Sequence, residues 1–427
     1  MLDSKQKVNH SITVPRSYRV PDRFNNQVIP ALLLFAVPLY LANPVLGLIL
    51  GFGLLLSQSK PSEQSVRLLF LMISVFFALW NTTRIPESDL LRYQLHFEAA
   101  SSESFSSYMS MYPREVLYYA ANYFLNIFLL GNFKLYLVFV TMLQYMLRFT
   151  AAKKIFGKDN ARVLVLVGIL ALTDGLIFTS AHLLRQMIAA SLFMLFFAEK
   201  YASKRILWWI IPVSFLVHSS SLMLYALCFI PYLETRISPK LMITLVAAFV
   251  VFILFGSAAT SFLNRITSPV SWLNYPFARM GDLEINNYGW FYGLTGITGI
   301  YNSARFVIFP IVLYYLFRRE AHILNYVVNF TLLYFGILMW FYATNLHYMV
   351  MRMSIYMQLF YCIAIPLMLD SIRVRFGRVA YYVGTIMVVS FFVYRFSKGY
   401  INTDFLVIDA STLAVRPLIA YVLELFI

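Results

Sequence analysis

Apolar runs of about 15 to 20 residues, the length a helix needs to cross ~30 Å of hydrocarbon, alternate with short polar stretches along most of this chain. They fall at about 27–42, 44–58, 66–82, 134–151, 162–180, 186–199, 206–220, 221–234, 239–258, 303–318, 322–342, 353–369 and 379–395, which predicts an all-α, polytopic membrane protein of about 12 to 14 transmembrane helices. The first two runs meet at Asn43-Pro44, a turn signal, so they form either two helices or one broken helix. A further run from Glu115 to Gly131 is rich in Tyr and amphipathic, and it suits an interfacial or re-entrant helix better than a full span.

The polar stretches carry a charge asymmetry that orients the whole. Lys153, Lys154, Lys158 and Arg162 share one loop, and Lys200, Lys204 and Arg205 the next. Arg236 with Lys240, Arg318 with Arg319, and Arg373, Arg375 and Arg378 follow. Basic loops stay cytoplasmic, and all five share one side only if Glu115–Gly131 does not cross. The other face then receives the loops at about 81–133 and 259–302, the turn from Ser180 to Gln186, the apolar-run end at His218 and the turn from Thr344 to Arg352. Residues 1–26 are polar and basic with no short apolar core, and read as a cytoplasmic tail ahead of a transmembrane catalytic domain over 27–395. The apolar tail 396–427 either lies flat at the interface or crosses.

Composition narrows the class further. The 427 residues are 60% hydrophobic and 12% charged, and the mean hydropathy is +0.71, which excludes a water-soluble domain. A net charge of +15 would suit nucleic acid in a soluble chain, but here the cations sit between apolar runs, so nucleic acid drops out as a partner. The two cysteines, Cys228 and Cys362, lie in apolar segments, so their role is packing.

Ionisable residues at the border of a hydrocarbon slab cost a few kcal/mol unless they snorkel, pair or face water, and they mark the candidate site. His182, Arg185 and Gln186 stand at i, i+3 and i+4, one helical face at the outer end of a span. A guanidinium forks onto phosphate oxygens, so Arg185 suits a lipid diphosphate, the plain alternative being a snorkelling arginine. His218 ends an apolar run and is followed by Ser219, Ser220 and Ser221; its imidazole can take a proton from an attacking hydroxyl, and the serines can orient it or bind sugar. Asp89, Arg92 and Tyr93 repeat the i, i+3, i+4 spacing behind Pro86. Asp89 orients the base, is the base or binds sugar, unless it is a solvated carboxylate paired with Arg92. Glu87-Ser88-Asp89 also fits an acid-x-acid pattern for a divalent cation. Tyr348, Arg352 and Tyr356 fall at i, i+4 and i+8, a cation between two rings that suits a diphosphate or a sugar; Arg279 and Arg305 flank the second outer loop. Most aromatic residues of that loop read as a membrane belt.

In order and spacing, Asp89-x-x-x-Tyr93, Arg185-Gln186-Met187-x-Ala189, His218-Ser219-Ser220-Ser221-Leu222 and Arg352-x-x-x-Tyr356 resemble the EpsG/Wzy group of bacterial polysaccharide polymerases, over roughly Val66 to Leu369. The resemblance implies a membrane glycosyltransferase of GT-C-like architecture, acting on the outer or periplasmic face of the bacterial plasma membrane. It implies transfer of a growing O-antigen, capsule or exopolysaccharide chain from undecaprenyl diphosphate to a new lipid-linked repeat unit. Undecaprenyl-diphosphate-linked glycans and membrane lipid are then its partners, with a chain-length regulator and a flippase alongside. Because the leaving group is already a diphosphate, positioned arginines neutralise it without a metal or other cofactor. On this reading Arg185 and Arg352, then Arg305 and Arg279, hold the diphosphate, and His218 is the base with Asp89 as competitor. Gln186, Ser219, Ser220, Arg92, Tyr93, Tyr348 and Tyr356 contact substrate, and the anomeric centre inverts.

Three other readings compete. A ligase would use the same donor with a different acceptor. A flippase would need cations along a central cavity, whereas the arginines above lie toward one face and Asp174 is the clearest charge inside a span. A membrane acyltransferase would need a coenzyme-binding loop, and nothing resembles one.

Overall fold

The computed structural model describes residues 32–56, 61–157, 180–230 and 415–426, together with single positions elsewhere, most of them helical ones between 326 and 390. The described residues form helices and no strand. A π-helical turn, Leu32–Ala36, leads into α1 (Val37–Ala42), followed by α2 (Pro44–Leu56) and α3 (Glu63–Asn81). Next come α4 (Ser88–Ser102), α5 (Phe105–Met111), α6 (Val116–Phe128) and α7 (Phe133–Phe156). Then follow α8 (Leu184–Tyr201), α9 (Ile210–Val217), a 3₁₀ turn (Ser219–Ser221), α10 (Leu222–Cys228) and α11 (Leu418–Leu423).

The Asn43-Pro44 junction is a fold-back rather than a bend. Asn43 is extended (φ −151°, ψ 99°), and its side chain caps α2 by accepting from Leu46 N at 3.0 Å. A Cβ on Gly47 would lie 2.3 Å from Tyr40 Cα, so α1 and α2 close on each other only because position 47 has no side chain. Among the described residues two helices, α3 and α7, are long and apolar enough to cross a membrane. Their starts are set by side-chain caps: Ser62 accepts from Ser65 N at 3.1 Å, and Asn132 from Leu135 N at 3.0 Å. Gly157, at φ +59°, ends α7 behind Lys153 and Lys154, which complement its C-terminal dipole.

The core is α3, α7 and α8. Phe70 stacks on Phe149 (4.1 Å) and Phe77 on Tyr145 (5.8 Å), while α8 is buried on nearly every side, as a helix apolar all round must be. Polar groups inside this core are tied together. Asn81 donates to Thr141 Oγ1 (3.0 Å) and Ser180 Oγ (2.9 Å) and accepts from Arg84 Nε (3.0 Å), joining the end of α3 to α7 and to the turn before α8. Arg148, wholly buried in α7, donates to Ser191 Oγ (3.0 Å) on α8 and to Gln144 Oε1 (3.3 Å). The sequence reading passed over this arginine inside a predicted span; Asp174 lies outside the described residues.

The two ends of the bundle differ in chemistry. At one end the start of α3 meets the ends of α7 and α8: Glu63 pairs with Lys153, and Lys154 with Glu199 at 2.6 Å. At the other end α3 finishes, α7 and α8 begin, and α4, α5 and α6 pack as a cap on the start of α7. This cap has its own aromatic core, including Tyr93, Phe97, Tyr108, Tyr118, Tyr119 and Tyr136. Within α6, Tyr118, Tyr119, Asn122 and Asn126 face inward, Asn126 donating to Phe97 O at 2.7 Å. Phe124, Ile127 and Phe128 face out, with Leu130 just beyond at 93% exposure. A helix with its polar side in and its apolar side out is built for a lipid surface.

Two expectations change. The runs at 206–220 and 221–234 form α9 and α10, of 8 and 7 residues, about 12 and 10 Å long, which is far short of a crossing. They make a hairpin closed at its base, where Trp208 stacks on Phe229 (5.5 Å) and Tyr201 Oη donates to Cys228 O (2.9 Å). The extended His218 and the Ser219–Ser221 turn form the junction between the two. The C-terminal tail also gains a place: Lys134 donates to Glu424 O (2.8 Å) and Asn132 to Leu425 O (2.6 Å), which ties α11 to the first turn of α7 at the capped end.

Candidate functional site

Three side chains from three separate elements meet at the capped end. Arg185 stands in the first turn of α8, His218 at the tip of the α9–α10 hairpin, and Glu115 on the residue before α6. The Glu115 carboxylate bridges the other two: Oε2 accepts from Arg185 Nη1, and Oε1 lies 2.5 Å from His218 Nδ1. A carboxylate bearing this ion pair has no proton to give, so the Nδ1 proton belongs to the imidazole and Nε2 is left as the basic nitrogen. Arg185 Nη1 also donates to Tyr119 Oη (3.2 Å), and its guanidinium lies 5.4, 5.8 and 5.9 Å from the ring centres of Tyr93, Tyr118 and Tyr119. Both hydrogen bonds leave from Nη1, and Nε makes none among the described residues.

Glu115 is held there against its backbone preference. Its φ of 54° and ψ of 43° are left-handed, a conformation costing ~1 to 2 kcal/mol for a residue with a Cβ. Burial raises its carboxyl pKa, but the His218 hydrogen bond and the Arg185 charge outweigh this and hold it below the ordinary value. His96 extends the constellation. Its Nδ1 is 3.4 Å from Tyr119 Oη, its ring packs on Tyr112 (4.6 Å), and Tyr112 stacks on Tyr119 (4.2 Å). Burial and the charges of Arg185 and Arg92 push His96 down to about 4, so it is neutral near pH 7.

The other candidates divide into three groups. Tyr93 joins the site under Arg185, and Ser220 Oγ lies 3.2 Å from Tyr356 Oη, which brings a late helix beside the His218 tip. Asp89 pairs with Arg92 (3.6 Å) one turn along α4, with Arg92 exposed and Ser219 exposed at the hairpin tip. Gln186 is buried, and so is His182, but the face proposed for His182, Arg185 and Gln186 is broken. Leu183 is not helical (φ −128°, ψ 50°) and caps α8, so His182 belongs to the helical residues that precede the break. Arg279, Arg305, Tyr348 and Arg352 lie outside the described residues. No group of three or more metal-ligating side chains occurs among the described residues.

Sequence reasoning missed Glu115, Tyr118, Tyr119 and His96. Glu115 carried a usable signal, since a lone carboxylate opening a Tyr-rich apolar stretch has the same standing as Arg185 at the head of α8.

Residues 67–406 match the EpsG family, and this stretch contains every site residue described above. The chain belongs to the EpsG family. EpsG-family proteins are polysaccharide polymerases and Wzy-like proteins, so the polar and aromatic site sits in a membrane protein that polymerises polysaccharide. Comparison with curated proteins and with solved structures finds no match.

Proposed function

We propose that this EpsG-family chain joins undecaprenyl-diphosphate-linked oligosaccharide repeat units on the outer face of the bacterial plasma membrane. It transfers the growing glycan to a new unit, releases undecaprenyl diphosphate and inverts the anomeric centre. The observation that carries this is the bridge from Arg185 through Glu115 to His218, which sets a diphosphate-gripping cation and an oriented base side by side. In the step, the acceptor hydroxyl bonds to the donor's anomeric carbon and gives its proton to His218 Nε2. The bond from that carbon to the diphosphate oxygen breaks, and its electrons stay on the oxygen, where Arg185 and Arg352 meet the charge. Glu115 orients the imidazole and stabilises its protonated form, and Tyr93, Ser220 and Tyr356 line the approach.

The architecture proposed around this site is GT-C-like and polytopic, with α9 and α10 as a hairpin that does not cross and the basic end of the bundle in the cytoplasm. A chain-length regulator and a flippase are its proposed protein partners. Purified protein in lipid nanodiscs, given lipid-linked repeat units, should extend glycans. His218→Ala should slow extension ~100-fold to 10,000-fold with donor affinity nearly unchanged, and chelation should have no effect. Arg185→Lys should lose ~30-fold to 1,000-fold, because an ammonium cannot fork onto two oxygens. Asp89→Asn should cost less than about tenfold, since its partner is the exposed Arg92. Loss confined to Asp89→Asn would move the base to Asp89. No extension by the unmodified protein alongside lipid translocation would sink the polymerase reading.

A further inference from the structure

Resting on that reading of the site, we infer that Glu115 takes the same place on Arg185 that the donor diphosphate takes during the reaction, so that donor binding and release of Glu115 are one event. Carboxylates and phosphates offer a guanidinium the same kind of acceptor pair, and each satisfies its donors in the same way. Here the carboxylate has the position by geometry. It reaches Arg185 Nη1 with one oxygen and His218 Nδ1 with the other, and only about a tenth of its side chain is exposed.

Around this contact the cation is enclosed. The rings of Tyr93, Tyr118 and Tyr119 lie within 6 Å of the guanidinium, and Tyr119 Oη takes a second hydrogen bond from the same Nη1. An incoming diphosphate that uses Nη1 must therefore take it from Glu115. The backbone favours the exchange, because Glu115 is a β-carbon residue in left-handed conformation at the edge of α6 and relaxes when the tether is cut. Two consequences follow. Glu115 neutralises Arg185 until the diphosphate replaces it, so a buried cation is never left bare. Once displaced from Arg185, the carboxylate keeps only its contact with His218 Nδ1.

The test separates competition from support. If Glu115 competes with the diphosphate, Glu115→Gln in the full-length protein should bind inorganic pyrophosphate about tenfold more tightly by calorimetry, while its glycan extension falls at least as far. A residue that merely supports Arg185 would, on substitution, weaken pyrophosphate binding, and unchanged or weaker binding overturns the inference. A second measurement needs no variant. Amide exchange over 113–118 in the unmodified protein should rise when pyrophosphate is added and not when sulfate-free buffer alone is exchanged; no rise overturns the inference even if Glu115→Gln fails to fold. Tighter pyrophosphate binding by Glu115→Gln in a protein that extends no glycan would uphold the exchange and reject the polymerase reading.

Discussion

Each residue of the site is placed by something outside itself. Arg185 opens α8 because Leu183 breaks the helix before it, His218 is exposed to a partner because the hairpin turns there, and Glu115 is bent into reach by a left-handed backbone. The sequence disclosed Arg185, His218 and Tyr93, since a cation or imidazole at the end of an apolar run is conspicuous in one dimension. Glu115 escaped notice because its meaning lies in partners 70 and 103 residues away, and spacing arguments reach only one or two helical turns. The lowered pKa of Glu115 has a thermodynamic consequence of definite sign. A carboxyl held below its unfolded value contributes stability that is present above the ordinary value of 4.5 and is lost as pH falls through the folded one. The melting-temperature gap between the unmodified protein and Glu115→Gln should hold from pH 7 down to the ordinary carboxyl value of 4.5 and narrow as pH falls below it, as followed by differential scanning fluorimetry.

Hydropathy located most elements but misjudged those that stop early. The boundaries of α3 and α7 agree with the runs at 66–82 and 134–151 because both helices face hydrophobic surroundings along their length. The runs behind α9 and α10 are equally apolar, and the sequence marks their junction at His218 and the three serines but not how short the helices on either side of it are. The buried links between helices are also illegible in advance: Asn81 lies within an apolar run and acts as a hub only in three dimensions. Asn81→Ala removes its hydrogen bonds to Thr141, Ser180 and Arg84 from the interior, where each unmade bond costs ~1 to 3 kcal/mol. It should lower the melting temperature markedly, and because Ser180 begins the turn that presents Arg185, turnover at saturating donor should fall as well. A melting temperature equal to that of the unmodified protein would show that the hub is not a structural link.

For the whole molecule, the basic and capped ends imply an orientation that accessibility can read. Single cysteines near Lys154 and Arg205 should resist impermeant thiol reagents in whole cells, whereas cysteines at Ser102 and Phe426 should label, since the cap and α11 share the end opposite the lysines. Labelling at Lys154 would invert the molecule. The expectation of this orientation comes from the charge clusters of the sequence, because they are local features with a long-range effect. The seat of the tail could not be read that way, because it depends on the contacts of Glu424 and Leu425 with residues nearly 300 positions earlier.

The outward apolar side of α6, from Phe124 to Leu130, puts the candidate site beside a helix whose exposed face suits lipid tails. For the polyprenyl donor proposed above, encounter is then a search in a plane. Velocity follows the number of donor molecules per lipid, not per litre, so inert phospholipid added at fixed bulk concentrations dilutes the substrate, and a domain of membrane that gathers polyprenyl lipids accelerates synthesis without any change in the protein.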